Sequence, residues 1–359
     1  METLAGFFSP FLVYVLITLL HLLLPGRNVN GYINKTGTDE KMKYKLNGII
    51  VLFIVVILWI FFCISGLLEW NWFYLQRYNS LAGAVFLGII FSIVMVFPYP
   101  KVRKNLLADF FFGRLENPRI FRGKADAKMW LYLIGAVMLE INILSFTAHH
   151  YLTFGNQAST GVFISAVLLS YFVVDYLTFE EVHLYTYDFF AERVGFKLGW
   201  GCLTFYPYFY SIPLWFTADK PSAGYSTTAM LIFILIFLAG WVLSRGANLQ
   251  KYYFKKNPEK KFLGIQPVVI TDGNKSLLVN GFWGLSRHIN YLGEVLMATG
   301  IVLCTGYPDI WWLWLYPFYY VLLLTTRQAD DDKRCASKYG GLWENYKKKV
   351  PYRIIPFIY

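Results

Sequence analysis

Residues 49–68 read IIVLFIVVILWIFFCISGLL, 20 positions with no charge and no proline, entered from Asn47-Gly48 and left at Glu69. About 20 apolar residues in a helix cross the roughly 30 Å hydrocarbon layer of a bilayer. A backbone in lipid must satisfy its own hydrogen bonds, so only a helix or a closed barrel can span it. Barrel strands alternate apolar and polar side chains, and this run does not alternate. Comparable runs recur at 8–24, 81–96, 129–149, 161–179, 198–216, 228–243, 291–303 and 311–324. The sequence therefore predicts an all-α integral membrane protein, a polytopic bundle of about nine to ten transmembrane helices. The first run lacks a small-residue cleavage site, which predicts a retained helix rather than a signal peptide.

Composition agrees. Of 359 residues, 57% are hydrophobic, 20% aromatic and 15% charged, with a mean hydropathy of +0.44. A soluble domain carries about 25% charged residues, so a disordered chain, a coiled coil and an ordinary cytosolic enzyme are excluded. The net charge is +11, from 33 Lys and Arg against 22 Asp and Glu. With so much apolar sequence, that balance does not indicate nucleic acid. The segments 25–48, 97–128, 180–197, 244–290 and 325–359 carry 5, 8, 2, 8 and 8 cations, 31 of the 33; the other connections hold only Arg77 and Lys220. Positive residues collect on the cytoplasmic side, which puts these segments and the C-terminus in the cytoplasm. The implied location is a multi-pass membrane one, endoplasmic reticulum in a eukaryote or cytoplasmic membrane in a bacterium.

Cys63, Cys202 and Cys304 fall in apolar runs and Cys335 in a polar tail, with no C-x-x-C pair. Five histidines form no H-x-x-x-H pair, and the adjacent His149-His150 reads as an interfacial loop feature. Neither a disulfide framework nor a metal site is indicated. Glu140 and Asp175 lie in or at the end of apolar runs, where charge is costly and faces a cavity or partner. The connection 180–197 is unusually acidic, with Glu180, Glu181, Asp188 and Glu192 against Arg193 and Lys197. It reads either as a solvated loop or as a polar helix end lining a cavity that opens to the cytoplasm.

From Arg245 onward polar segments surround the last two apolar runs, giving a membrane region over 1–244 and a C-terminal catalytic region over 245–359. Lys251, Lys255, Lys256, Lys260 and Lys261 suit anionic headgroups or a phosphate-bearing ligand. Lys251 and Lys255 share a helical face. Residues 277–294, LLVNGFWGLSRHINYLGE, offer Trp283 for stacking, Arg287 as a planar cation, and Asn290 and Tyr291 as donors. Arg327, Asp330-Asp331-Asp332, Cys335, Lys338, Tyr339, Trp343 and Tyr346 follow. Such residues can hold a nucleotide, although no G-x-G-x-x-G or P-loop pattern occurs. Composition alone supports a membrane protein with a basic, cytoplasm-facing ligand pocket.

These blocks resemble the signatures of the membrane sterol reductases, a family that includes Δ14-sterol reductase, 7-dehydrocholesterol reductase and the membrane region of the lamin B receptor. Residues 277–294 are similar to L-L-x-S-G-[FW]-W-G-x-x-R-H-x-N-Y-x-G-D, and 327–359 to H-R-x-x-R-D-x-x-x-C-x-x-K-Y-G-x-x-W-x-x-Y with its V-P-Y-R-I ending. Weaker matches include Tyr44 to Gly48, Asn117-Pro118-Arg119, and Pro207 through Ser211. The resemblance implies NADPH-dependent reduction of a sterol carbon–carbon double bond, the sterol coming from the bilayer. By position it implies a cofactor site of Lys251, Lys255, Leu278, Trp283, Asn290, Tyr291, Arg327, Asp331, Cys335, Lys338, Tyr339 and Tyr346. An isolated alkene must be protonated before it accepts hydride, so a proton donor in a dry pocket is needed. Tyr210 is the leading candidate, followed by Glu181 and Asp331. The chain departs from the pattern at Lys255 for Arg, Glu294 for Asp, Thr326 for His, Asp330 for Arg, and Ala191-Glu192-Arg193 for His-Asp-Gly. The bond reduced, Δ14, Δ7 or Δ24, stays open, as does the oligomeric state. The alternatives are an isoprenylcysteine carboxyl methyltransferase-like enzyme and a non-catalytic membrane scaffold.

Overall fold

The computed structural model describes residues 2–35 and 37–359 and is mostly helical. The chain forms two compact units, one ending at Ala223 and the other beginning at Gly224.

In the first unit, α1 (Glu2–Leu23) is followed by an antiparallel hairpin of β1 (Arg27–Asn34) and β2 (Lys41–Leu46). Next come α2 (Gly48–Ile64), the single turn α3 (Trp72–Leu75), α4 (Arg77–Val96), α5 (Leu106–Phe112), and a short pair, β3 (Arg119–Ile120) with β4 (Ala125–Asp126). The hub is α6 (Ala127–Phe154). It starts cleanly because the Asp126 carboxylate accepts the Lys128 and Met129 amides at 3.0 and 3.1 Å, as an N-cap should. Apolar residues surround α6 on all sides, so it is buried along most of its length, as expected of a helix without a polar face. It packs on α1, α2, α3 and α7 (Thr160–Thr178). Beneath its start, Met42, Tyr44 and Leu46 of β2 close over Met129, Leu184 and Phe189. The short turns α8 (Glu180–His183) and α9 (Tyr187–Phe190) connect onward.

The run 198–216, read above as one span, is broken. It consists of α10 (Phe196–Trp200), a π-helical turn (Gly201–Phe205), α11 (Tyr206–Phe209) and α12 (Ile212–Trp215). Pro213 lacks an amide hydrogen and its ring crowds the preceding turn, where the helix stops at Phe209; Pro207 stands in the first positions of α11, where the π-helical turn passes into it. His149 and His150 also differ from expectation. They lie in the last turns of α6 rather than in a loop, with His150 Nδ1 donating to the Ala218 carbonyl at 3.0 Å.

In the second unit, α13 (Thr227–Lys256) runs without interruption through residues 244 and 245. The hairpin β5 (Val269–Thr271) and β6 (Ser276–Leu278) follows, then α14 (Phe282–Leu285) and α15 (Ile289–Cys304). The run 311–324 opens as a tight turn at Trp311–Trp314 and continues as α16 (Leu315–Tyr339), ahead of α17 (Gly341–Lys349). Helices α13 and α15 touch backbone to backbone. A Cβ on Gly240 would lie 2.6 Å from the Gly293 carbonyl oxygen, and one on Gly293 would lie 2.5 Å from that of Gly240. Small residues at such crossings are how helices approach closely in lipid.

Among the described residues, five helices are long and apolar enough to cross a membrane: α1, α4, α6, α7 and α13. Helices α2 and α15 are apolar but shorter. These helices are compatible with a membrane protein.

Candidate functional site

In the second unit the ends of four helices and the β5–β6 hairpin bring the polar C-terminal segments together. The turn after β6 is set by Gly281, whose φ of +62° suits glycine. A Cβ there would also strike the Gln250 side chain at 2.2 Å. Gln250 in turn fixes the loop, accepting the Phe282 amide at 2.9 Å and donating to the Asn280 carbonyl at 3.3 Å. Trp283 is thereby laid along α13, its indole donating to the Ala247 carbonyl at 2.8 Å with the Lys251 ammonium 5.5 Å from its ring. Tyr346 of α17 donates to the Trp283 carbonyl at 3.3 Å. Tyr339, Trp343 and Tyr346 form a run of near-parallel rings at 6.5 and 5.0 Å. The Trp343 indole donates to Asp332 at 3.2 Å.

The start of α15 is held by chain from far along the sequence. The Arg287 and His288 amides donate to the Tyr352 and Arg353 carbonyls at 3.0 and 2.8 Å. Both side chains are buried, at 5% and 4% exposure, and Arg287 Nε and His288 Nε2 have no partner among the described residues. Asn290 donates to Asn248 Oδ1 at 3.3 Å while its own Oδ1 is buried and unpartnered. Burial, then Lys251 and Arg287, push the His288 imidazole down to about 3, so it is neutral at physiological pH. Burial raises the Asp331 carboxyl against the pull of Lys251. Burial and then Asp331 push the Cys335 thiol up to about 12, which makes it inert as a thiolate. The result is a cationic, aromatic-walled cluster with three unmet polar atoms. Buried polar atoms are almost always paired, so this arrangement suits an anionic ligand with flat rings and hydrogen-bonding groups.

In the first unit, Tyr210 is half-buried in the gap between α11 and α12. Its ring meets Tyr206 edge-on at 4.8 Å and Phe172 at 6.3 Å. Glu181 forms an ion pair with Arg27 at 2.8 Å. Its neighbour Glu180 instead lines a crevice with Met129, Tyr132, Leu133, Tyr176, Leu177 and His183. There it accepts the Gly48 amide at 3.0 Å, and burial pushes its carboxyl up to about 7. His183 stacks on Tyr176 at 3.9 Å and donates to the Tyr176 carbonyl at 3.0 Å. Glu140, inside α6, accepts a hydrogen bond from Ser170 at 2.8 Å.

The pattern of the ergosterol biosynthesis ERG4/ERG24 family matches residues 4–359. The chain belongs to this family. It is 29% identical over 361 residues to a Delta(14)-sterol reductase of Arabidopsis thaliana, covering 96% of this chain and 94% of that one. It is 31% identical over 367 residues to Delta(14)-sterol reductase erg24 of Schizosaccharomyces pombe, covering 96% and 82%. To the Delta(14)-sterol reductase of Methylotuvimicrobium alcaliphilum it is 30% identical over 360 residues, covering 95% and 80%.

Within this ERG4/ERG24 chain, Lys251, Leu278, Trp283, Asn290, Tyr291, Asp331, Cys335, Tyr339 and Tyr346 all lie in the second unit on the elements just described. Lys255 and Lys338 stand near the ends of α13 and α16, with Arg327 in the middle of α16. Tyr210 and Glu181 lie in the first unit. Nothing local in the sequence marks His288 as a site residue, and Arg287 reads there only as a planar cation. Their types were visible in the Arg-His pair. Their burial was not, because it depends on the returning segment at Tyr352 and Arg353. Glu180 and Glu181 are buried alike, and nothing in two adjacent glutamates shows that Glu181 pairs with Arg27 while Glu180 lines the crevice.

Proposed function

We propose that this chain is a membrane-embedded, NADPH-dependent sterol reductase that saturates the Δ14 carbon–carbon double bond of a sterol. The observation that carries this reading is the second-unit cluster, with its unmet Arg287, His288 and Asn290 atoms beside Lys251 and Trp283. It occurs in a chain similar along its length to proteins named for that reaction. The cluster fits a nicotinamide dinucleotide. Lys251 and Lys255 would take phosphates and the Trp283 face a flat ring, while Trp343 and Tyr346 pack with Val279 and Val350 in the core that backs the site. Asn290 Oδ1 can accept from a ribose hydroxyl or carboxamide, while Leu278, Tyr291, Arg327 and Lys338 complete the set. Bound NADPH supplies hydride.

The proton is the chain's own task. Tyr210 would give its phenolic proton to one alkene carbon, leaving a cation on the neighbouring carbon for hydride to quench, and would then recover a proton from solvent. Asp331, whose carboxyl burial favours protonated, is the second candidate. The apolar helices of the first unit keep water away from the cation. Nine crossings account for the topology: α1, α2, α4, α6, α7, the broken segment from Phe196 to Trp215, α13, α15 and the first half of α16. The uneven placement of Lys and Arg puts the C-terminus in the cytoplasm.

The deciding experiment expresses the chain in yeast lacking Δ14-reductase activity and follows the sterols by mass spectrometry. Disappearance of the Δ14-unsaturated sterol supports the assignment. Its persistence, with loss of a Δ7 or Δ24 bond instead, moves the assignment to that bond. Purified protein that binds S-adenosylmethionine but not NADPH overturns it.

A further inference from the structure

We infer that Asn142 is a positioning residue for Tyr210: its side-chain amide holds the broken helical turn on which Tyr210 stands and so fixes the direction of the Tyr210 hydroxyl. The inference rests on the reading of Tyr210 as proton donor.

Tyr210 lies midway between Pro207 and Pro213. Neither proline can donate to the helical ladder, and the helix stops at Phe209 and restarts at Ile212. The turn keeps the bond from the Tyr210 amide to the Tyr206 carbonyl, at 3.4 Å, and side chains supply the rest of its hold. Tyr14 of α1 donates to the Leu203 carbonyl, which a helix would have offered to residue 207. Asn142 of α6 donates from Nδ2 to the Pro207 carbonyl at 2.9 Å. Ser211 Oγ closes onto the Tyr208 carbonyl at 2.8 Å, and the Tyr208 hydroxyl is joined to Ser80 of α4. Of these contacts, the Asn142 bond reaches the carbonyl three residues before Tyr210 from the hub helix.

Helix α6 controls this turn twice. Gly135 makes room for the Tyr206 ring, since a Cβ there would lie 2.5 Å from Tyr206 Cδ1. Tyr206 is the ring that Tyr210 packs against. Two turns further along, Asn142 takes the Pro207 carbonyl. The ring beside Tyr210 and the backbone beneath it are thus referred to one rigid helix.

The Pro207 carbonyl needs a donor, and a buried asparagine supplies it at a cost of its own. Asn142 is fully buried, and its Oδ1 has no partner among the described residues. Leucine, of similar size, would spare that unmet oxygen but leave the Pro207 carbonyl without a donor. What the amide provides is a directional bond at the turn that carries the reacting hydroxyl. Displacement of a reacting group by about 1 Å can cost about 100-fold in rate.

The test is a cycle on the full-length protein in detergent: wild type, Asn142→Leu, Tyr210→Phe and the double variant. Asn142→Leu should lower kcat by about 10- to 100-fold, with the sterol KM and the NADPH Kd within about twofold of wild type. In the Tyr210→Phe background the same change should have no further effect, because Asn142 acts through that hydroxyl. Multiplicative losses, or an Asn142→Leu enzyme with normal kcat, overturn the inference. Full turnover in Tyr210→Phe overturns the donor reading itself, whatever Asn142→Leu does. If Tyr210→Phe leaves no measurable rate, the solvent deuterium effect on kcat decides. It rises in Asn142→Leu if the donor is displaced and keeps its wild-type value if the role is structural. If the leucine variant does not fold, Asn142→Gln carries the test. Its amide on a longer stem should keep part of the wild-type rate and raise the isotope effect, and a wild-type isotope effect there counts against positioning.

Discussion

Replacing Glu180 with glutamine should abolish a pH dependence that wild-type stability carries between pH 4.5 and 7. The Glu180 carboxyl is only 7% exposed and lies against Tyr132, Leu133, Tyr176 and Leu177. Burial raises it from the usual 4.5 to about 7, partly opposed by the Gly48 amide and by Arg27. Above pH 4.5 an unfolded chain releases this proton, whereas the folded chain keeps it until about pH 7. The folded state therefore binds more protons across that window, and stability falls as pH rises through it. At about 1.4 kcal/mol per pH unit, the loss is roughly 3 kcal/mol, complete once the pH exceeds 7.

Glu180→Gln keeps an amide oxygen for the Gly48 hydrogen bond and has no proton to lose. At a few degrees of Tm per kcal/mol, the variant should melt about 10 °C above wild type at pH 8. The gap should close as the pH is lowered to 4.5. Tryptophan fluorescence of the purified full chain, heated at half-unit pH intervals, measures this directly. A constant difference between the two proteins across the window would show that Glu180 is not held protonated by burial. A wild type that is the more stable at pH 8 would show that the charged carboxylate is a net asset.

In the second unit, Lys251→Gln should weaken NADPH binding about 10- to 100-fold, the worth of one charge-assisted hydrogen bond to phosphate, as measured by fluorescence titration; unchanged affinity removes Lys251 from the site. His288 behaves oppositely to Glu180, because its pKa is lowered to about 3. Its contribution is full above pH 6.5 and lost as pH falls toward 3, so His288→Asn should show a shallower acid destabilisation than wild type in the same melting series. Gly293→Val should lower Tm by several degrees, since its Cβ would meet the Gly240 carbonyl oxygen at 2.5 Å and overpacking costs about 1–3 kcal/mol; an unchanged Tm would mean that α13 and α15 do not cross there.

How far the sequence could be read depended on the range of the forces involved. Hydrophobic runs are local, so 129–149 and 161–179 read as helices from composition alone, and the helices found are Ala127–Phe154 and Thr160–Thr178. Hydropathy does not register a missing amide hydrogen, so 198–216 scores as a span although it breaks at Tyr210 and Ser211, ahead of Pro213. Lys251 and Lys255 follow from helical spacing and Trp283 from its motif. Glu180 and Glu181 are both buried, and which of them meets the Gly48 amide and which meets Arg27 depends on chain more than 130 residues away. Arg287 and His288 are quoted in the sequence as a motif. Their depth comes from carbonyls of Tyr352 and Arg353, which reach them only after α16 and α17 have turned the chain back.

The break at Tyr210 joins fold and chemistry. Irregular backbone is tolerated at membrane depth only where protein surrounds it, because an unmet amide or carbonyl in hydrocarbon costs several kcal/mol. The broken segment obeys this rule: Tyr206, Pro207, Tyr208, Ser211 and Ile212 are all buried. Side chains from α1 and α6 take the carbonyls that its ladder leaves over. A surface helix would need none of this and would present its tyrosine to lipid. An isolated alkene is a weak base, so its protonation needs a donor that water does not hydrogen-bond or level, beside a cation that water cannot trap. If Tyr210 is the donor proposed above, a turn that opens ahead of Pro213 and is clamped by buried side chains would meet that need. The departure from regular helix is what separates that proposal from a tyrosine held only for packing.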